Sequence, residues 1–139
     1  MAGGLLAQSR RREREELARR LLDLAIRRYN RYRGAESRAK LLRLQGDTAI
    51  VAFEGSFCET CGINDWVDDL RYVLEDLGAE AELVTVVEPE SPDEFYEYRI
   101  GVFRLRRLPS PERLEEAERE EKELEEWLAT GGEEGEAAT

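Results

Sequence analysis

The segment from Ile63 to Leu77 is the feature that most restricts the possible folds, because its apolar side chains fall on one face of a helix. That set consists of Ile63, Trp66, Val67, Leu70, Val73, Leu74 and Leu77. Gly78 follows directly and is a typical helix stop. A helix with a single apolar face is stable only when that face is buried against another layer of structure.

Strand patterns lie on both sides of this helix. The segments AKLLRL (39–44) and TAIVAFEG (48–55) flank a polar tetrad in which Gly46-Asp47 suits a tight turn, and this arrangement indicates a hairpin. Further along, AELVTVVEP (81–89) is typical of a buried strand, and YEYRIGVFRLRR (96–107) alternates as a strand does. We therefore expect a small sheet, predicted to be mixed, on which the central helix packs.

Two strongly charged helices are predicted at the two ends of the domain. The first runs over about residues 9–33, where Leu17, Leu21 and Leu24 form an apolar stripe. The last runs over about residues 111–128. Residues 10–33 contain ten arginines against four acids, whereas residues 112–139 contain three bases against 12 acids. Opposite charge predicts that the two helices face each other, within one chain or across a dimer.

In that pairing the basic positions Arg19, Arg20, Arg27 and Arg28 are expected to meet the acidic run Glu115–Glu126. The whole pattern predicts an α+β domain of two layers, with the element order α-β-β-α-β-β-α. At 139 residues the chain has room for one such domain, over residues 9–128. Residues 1–8 are expected to form a flexible N-terminus and residues 129–139 a disordered acidic tail.

Composition excludes several classes of function. The chain contains no histidine, so a Ser-His-Asp triad, a Cys-His pair or a His-ligated zinc site cannot be built from one chain. Neither standard glycine-rich phosphate loop is present. No apolar run approaches the roughly 20 residues that span a bilayer, and the start of the chain does not resemble a secretory signal. We therefore expect a cytoplasmic protein without a membrane partner.

Asn, Gln and Met are scarce while Glu and Arg are abundant, which is a profile typical of thermophilic proteins. This matters for the two cysteines, because intracellular disulfides are rare in mesophiles but common in hyperthermophiles.

Both cysteines, Cys58 and Cys61, lie in a CxxC motif between the strand 48–55 and the central helix. Strand, CxxC, helix and strand predict a βαβ unit with both thiols at the N-terminus of the helix, where the helix dipole stabilises a thiolate. Acidic neighbours oppose this effect by raising thiol pKa values. These neighbours are Glu54, Glu59, Asp65, Asp68 and Asp69, and the sequence leaves open which effect is larger.

The number of cysteines in one chain leaves three interpretations of the motif open. Tetrahedral zinc or an iron–sulfur cluster requires four ligands, so a metal site needs Cys58 and Cys61 from each of two chains. A thiol–disulfide redox couple needs only one chain. The third interpretation is a non-catalytic interaction module in which the two cysteines form a structural disulfide or remain inert thiols.

From about Leu17 to Glu88 the chain resembles the C-terminal domain of NifU, a family of iron–sulfur scaffolds and carriers. The resemblance rests on Gly34, the hairpin LLRLQGDTAIVAFEG, Gly55, the CxxC and the helix that follows. It implies a homodimer in which Cys58 and Cys61 of both chains bind one cluster, which is then passed to client proteins. It also implies a carrier rather than an enzyme.

A weaker resemblance is to thioredoxin-like proteins. IVAFEGSFCETC is similar to their strand and CxxC, with Phe57 where an aromatic residue is usual, and PDEFYEYRIGVFRL resembles their short helix and next strand. This resemblance implies a thiol–disulfide oxidoreductase in which Cys58 is the nucleophile and Cys61 the resolving cysteine.

The segment RRYNRYR interleaves arginine with tyrosine, a combination that suits phosphate contact and base stacking in RNA binding. The relevant residues are Arg27, Arg28, Tyr29, Arg31, Tyr32 and Arg33. An ordinary helix end, whose arginines complement the helix dipole and pair with the acidic last helix, explains the segment better. The net charge of −11 also disfavours long-range attraction to nucleic acid.

Overall fold

The computed structural model describes residues 2–34, 36–55, 63–88 and 98–131, and the structural statements below refer to these residues. It confirms the predicted element order and the α+β class. The elements are α1 (Ala2–Arg33), β1 (Arg38–Gln45), β2 (Thr48–Glu54), α2 (Ile63–Asp76), β3 (Glu80–Val87), β4 (Tyr98–Arg107) and α3 (Pro111–Ala129).

The sheet has the strand order β1-β2-β4-β3, and all three pairings are antiparallel. The prediction of a mixed sheet was therefore wrong. Strands β2 and β3 do run in the same direction, but β4 lies between them, so the predicted βαβ unit does not pair its own two strands. The physical reason is that β4, the most regularly alternating strand, hydrogen-bonds on both edges, to β3 and to β2.

The helices cover one face of the sheet, as the one-sided pattern of α2 predicted. Val67, Leu70 and Leu74 of α2 are fully buried, together with the inward side chains of the strands. Phe53 of β2 connects two parts of this core. Its ring lies 5.5 Å from that of Tyr29 of α1 and 6.2 Å from that of Phe103 of β4.

The first helix begins at Ala2, well before the predicted start at Ser9. Residues 2–8, which were expected to be a flexible N-terminus, are therefore helical. Gly3 and Gly4 are poor helix formers, but the alanine, leucine and glutamine residues that follow propagate a helix well, and the stretch contains no proline. Leu5 and Leu6 are largely exposed, so this first part of α1 extends beyond the core.

The basic α1 and the acidic α3 face each other within the chain, as their charges predicted. Arg20 bonds to Glu118, and Arg27 lies 3.0 Å from Glu125. The prediction was wrong for Arg19, which pairs with Glu15 of its own helix.

Two arginines converge on one carboxylate at the centre of this contact. Arg31 donates two hydrogen bonds to Glu121 at 2.8 and 3.1 Å, and Arg28 donates one at 3.2 Å. The side chain of Glu121 is only 1% exposed. This group, in which two partly exposed arginines hold a buried glutamate, was not revealed by the sequence and fixes α3 against α1.

Candidate functional site

Cys58 and Cys61 lie outside the described residues, in the connection that joins β2 to α2. The two ends of this connection are described: β2 ends at Glu54, opposite Tyr98 of β4, and α2 begins at Ile63. The connection that carries the cysteines therefore leaves the sheet at the end where β2 finishes and β4 starts.

Gly55 follows β2 directly and has a φ of 145°, a region that only glycine adopts readily. A Cβ atom built at this position would overlap the carbonyl oxygen of Glu36 and would lie 3.0 Å from the Cα of Ser37. Where the backbone leaves β2 towards the cysteines, it therefore lies directly against the segment before β1. Only glycine at position 55 allows this close approach.

Arg99 is the most unusual residue at this end of the sheet. It lies on the helix-covered face of β4, opposite Phe53, and is 0% exposed. Its Nη1 atom donates a hydrogen bond to the carbonyl oxygen of Tyr98 at 2.9 Å. Arginine stays protonated in proteins, so a positive charge is buried close to where β2 ends.

Sequence reasoning missed this role of Arg99, although the signal was present. In the alternating strand 98–107, Arg99 has the same parity as Gly101, Phe103 and Leu105, all of which are buried. The period of two therefore predicts an inward position for Arg99.

Two of the acids that were expected to oppose thiolate formation are engaged by arginines. Asp69 forms an ion pair with Arg33, and Asp68 forms a two-pronged ion pair with Arg71, at 2.8 and 3.0 Å. Glu54 is exposed, and neither Glu59 nor the side chain of Asp65 is among the described parts. Pairing with arginine offsets the negative charge of Asp68 and Asp69, so their expected effect on the thiols is smaller than the sequence implied.

Trp66 lies in the first turns of α2, close to where the cysteine connection ends. The guanidinium of Arg33 lies 4.4 Å from the centre of its ring, a cation–π contact that joins α2 to the end of α1. The indole is half-buried and packs against the core. Its position fits the predicted core role.

Most of the residues that suggested RNA binding by RRYNRYR are buried or paired with carboxylates. Tyr29 is 1% exposed, and the ring cannot stack on a base. Arg27, Arg28, Arg31 and Arg33 all pair with carboxylates of α2 or α3. Of the two tyrosines, only Tyr32 is exposed, at 78%.

The hydroxyl of Tyr29 connects α1 to α2 and to the segment before β1. It lies 2.7 Å from the hydroxyl oxygen of Ser37, just before β1, and donates to the carbonyl oxygen of Trp66 in α2 at 2.9 Å. Burial raises the pKa of Tyr29 to about 12, although the hydrogen bond with Ser37 acts in the opposite direction. The phenol therefore stays protonated and remains a donor over the physiological range.

We expect Tyr29→Phe to lower the free energy of unfolding by about 1–3 kcal/mol, because the partners of the hydroxyl would stay buried without it. Urea unfolding would measure the change. Tyr32→Phe, three positions along the same helix, is the matched control and is expected to change stability by less than about 0.5 kcal/mol. Equal effects of the two substitutions would contradict the role assigned to the Tyr29 hydroxyl.

Within the described part of the chain, no group of three or more Cys, Asp or Glu side chains is arranged to hold a metal ion. No helix among the described residues has both the length and the apolar character needed to cross a bilayer. A scan against models of protein families found no match, and neither the curated proteins nor the solved structures contain a detectably similar protein.

Proposed function

We propose that two copies of this chain together hold one metal ion or iron–sulfur cluster through Cys58 and Cys61 of each copy, and pass it to a client protein. The chain then acts as a scaffold or carrier and not as an enzyme. The observation that carries this proposal is the buried guanidinium of Arg99 at the end of the sheet from which the cysteine connection leaves.

Charge explains why Arg99 supports such a site. Four thiolates around a zinc ion, or around an iron–sulfur cluster, leave the assembly negatively charged. A nearby fixed positive charge favours the ionised form of each thiol, and the N-terminus of α2 acts in the same direction. The pairing of Asp68 and Asp69 with arginines removes part of the opposing negative charge.

The metal site is proposed to be shared between two chains because one chain supplies too few ligands. The chain has two cysteines and no histidine, so one copy provides half of a four-thiolate site. A site completed by a second copy uses only residue types that bind zinc and iron–sulfur clusters strongly.

The test is the metal content of protein purified without oxygen. We expect about one site per two chains, and we expect Cys58→Ser or Cys61→Ser to abolish it. Arg99→Met is expected to weaken metal binding at least about tenfold, and Arg99→Lys, which keeps the charge, to weaken it less. Circular dichroism would verify that each variant is folded.

Stoichiometric metal on a monomeric protein would contradict the shared site. Metal affinity that is the same for Arg99→Met and for the wild-type protein would remove the observation on which the proposal rests.

A second candidate function is thiol–disulfide exchange by a single chain, with Cys58 as nucleophile and Cys61 as resolving cysteine. The same features favour it, because a positive charge and a helix N-terminus would make a thiolate close to them more reactive. In that case the metal-free protein would show a two-electron transition at about −120 to −270 mV in a redox titration. Thiols that resist both oxidation and alkylation in the folded protein would exclude this function.

A further inference from the structure

The face of the sheet opposite the helices is apolar at its centre. Side chains of β2 and β4 that alternate with the core residues point to this face, and no described helix packs on it. The central set is Ile50, Ala52, Ile100 and Val102, which Val87 of β3 extends. We call this surface the open face.

Basic side chains border the apolar centre on two sides. On β1 they alternate with the core residues and pair with the outward positions of β2. On β4 they continue the outward series beyond Val102, at one end of the face. The five bases of the open face are Arg38, Lys40, Arg43, Arg104 and Arg106, and all of them are exposed.

Few acids oppose these bases. The strand register places Glu54 and Glu82 on the open face, which leaves it with a net charge of +3. Glu82 bonds to Arg106, whereas the other four bases form no ion pair with a carboxylate among the described residues. Asp47, in the turn between β1 and β2, adds a negative charge near Arg106. The open face is therefore basic in a chain whose net charge is −11.

Much of the acidity of the chain lies on the other side of the sheet. The helix α3 alone contains nine acids against three bases, and it packs on α1, which covers the opposite face. Packed layers lie about 10 Å apart, whereas salt at 0.15 M screens charges beyond about 8 Å. At the β3 edge, Glu80 pairs with Arg107, so this pair adds no net charge. A ligand on the open face therefore experiences mainly the local positive charge.

We propose that the open face binds a single-stranded nucleic acid, with its phosphates on the basic side chains and its unpaired bases on the apolar centre. Arg38 and Lys40 are outward neighbours on β1, about 6.7 Å apart along the strand. An extended nucleic acid strand places successive phosphates at a similar spacing. The apolar positions of β2 and β4 lie about 5 and 10 Å to the side of β1, within reach of the attached bases.

The one-sided layout of the charges favours a nucleic acid over an acidic protein. The edge strand β1 contains three bases and no acid, whereas the opposite edge strand β3 contains no base. A nucleic acid strand likewise carries its phosphates on one side and its bases on the other. An acidic amphipathic helix carries charge on both flanks of its apolar stripe and would need bases along both edges of the open face.

The apolar centre favours a single strand over a duplex. In a duplex the flat faces of the bases are stacked on one another, so only unpaired bases can lie on an apolar protein surface. Tyr98, half-buried at one end of the centre, provides one aromatic ring for such a contact. Four of the five bases are arginines, whose planar guanidinium groups bind phosphate in a two-pronged manner.

The test is fluorescence anisotropy of a labelled 12-nucleotide oligouridylate, titrated with the full chain up to about 500 μM. Four unpaired bases predict a slope of about −3 for the logarithm of the binding constant against the logarithm of the salt concentration. Binding is therefore expected to weaken about 50-fold between 50 and 200 mM salt. The protein carries Cys58→Ser and Cys61→Ser, so the result is independent of the proposed metal site.

Paired substitutions test the surface. Lys40→Gln with Arg43→Gln is expected to weaken binding at least about tenfold at 50 mM salt and to reduce the salt slope by about 1.4. Arg11→Gln with Arg12→Gln is the matched control, because it removes the same charge from exposed positions on α1. The control is expected to leave both the affinity and the slope unchanged.

Competitors test the chemistry of the ligand. Inorganic polyphosphate of the same charge has no bases, and in a duplex the bases are stacked on one another. Each is expected to compete at least about tenfold more weakly than unlabelled oligouridylate, because neither can use the apolar centre.

No binding at 50 mM salt would overturn the proposal. An equal loss in the α1 control would overturn the choice of surface, and equal competition by polyphosphate or by a duplex would refute the contact with unpaired bases. If a 12-residue oligoglutamate competed better than oligouridylate, the open face would be assigned to an acidic protein instead.

Discussion

Glu121→Ala is expected to lower the free energy of unfolding by about 3 kcal/mol, because it removes one partner of a buried ion group. The carboxylate is 1% exposed and accepts hydrogen bonds from Arg28 and Arg31. Without it, two guanidinium groups at the α1–α3 contact lose their counter-charge. Their exposures of 28% and 30% let water compensate in part, so the low end of the 3–5 kcal/mol range applies.

Glu125→Ala is the matched control on the same helix. Its carboxylate pairs with Arg27 at 3.0 Å, but both side chains are exposed to more than two fifths. Exposed pairs contribute about 0–1 kcal/mol, so this substitution is expected to have little effect in urea unfolding. A loss from Glu121→Ala no larger than that from Glu125→Ala would show that burial of this ion group does not matter.

The dependence on pH provides an independent measurement. Burial by itself raises the pKa of Glu121, but the hydrogen bonds and charges of Arg31 and Arg28 outweigh it, so the pKa is lowered in the folded protein. Because the pKa is lowered, Glu121 stabilises the fold at pH values above its pKa in the unfolded chain, which is about 4.3. This contribution disappears as the pH falls through the pKa in the folded protein. The stability difference between wild type and Glu121→Gln should therefore be full at neutral pH and shrink progressively below about pH 4.

Gly55→Ala is expected to cost about 3 kcal/mol, the upper end for a residue held in a backbone region that is nearly exclusive to glycine. The new Cβ would overlap the carbonyl oxygen of Glu36, and a backbone atom cannot move aside as a flexible side chain can. The chain must then shift where it leaves β2. Because the cysteines follow within a few residues, we also expect Gly55→Ala to weaken the proposed metal site in any variant that still folds.

Gly46→Ala separates the two causes. Gly46 lies in the β1–β2 turn with a φ of 61°, but no atom lies within 4 Å of its added Cβ. Its substitution is expected to cost about 1 kcal/mol from backbone strain alone and to leave metal binding unchanged. If thermal unfolding and metal titration gave the same results for both glycines, the close approach at Gly55 would not be important.

Local patterns were sufficient to predict the elements and some of their contacts. The apolar face of α2 and the turn at Gly46-Asp47 are properties of neighbouring residues, and both are confirmed. The opposite charges of α1 and α3 also predicted the contacts of Arg20, Arg27 and Arg28 correctly. The assignment of the thiols to a metal site stays a prediction.

The position of β4 between β2 and β3, the burial of Arg99 and the convergence of Arg28 and Arg31 on Glu121 were decided only by the tertiary structure. Strand order depends on which distant segments pair best. A periodic pattern shows which side chains of a strand face the core, but not which strands lie next to it. A charged residue in sequence is expected at the surface, because burying it is favourable only where specific partners from other elements meet it. Those partners come together only when α1, α3 and the sheet have packed.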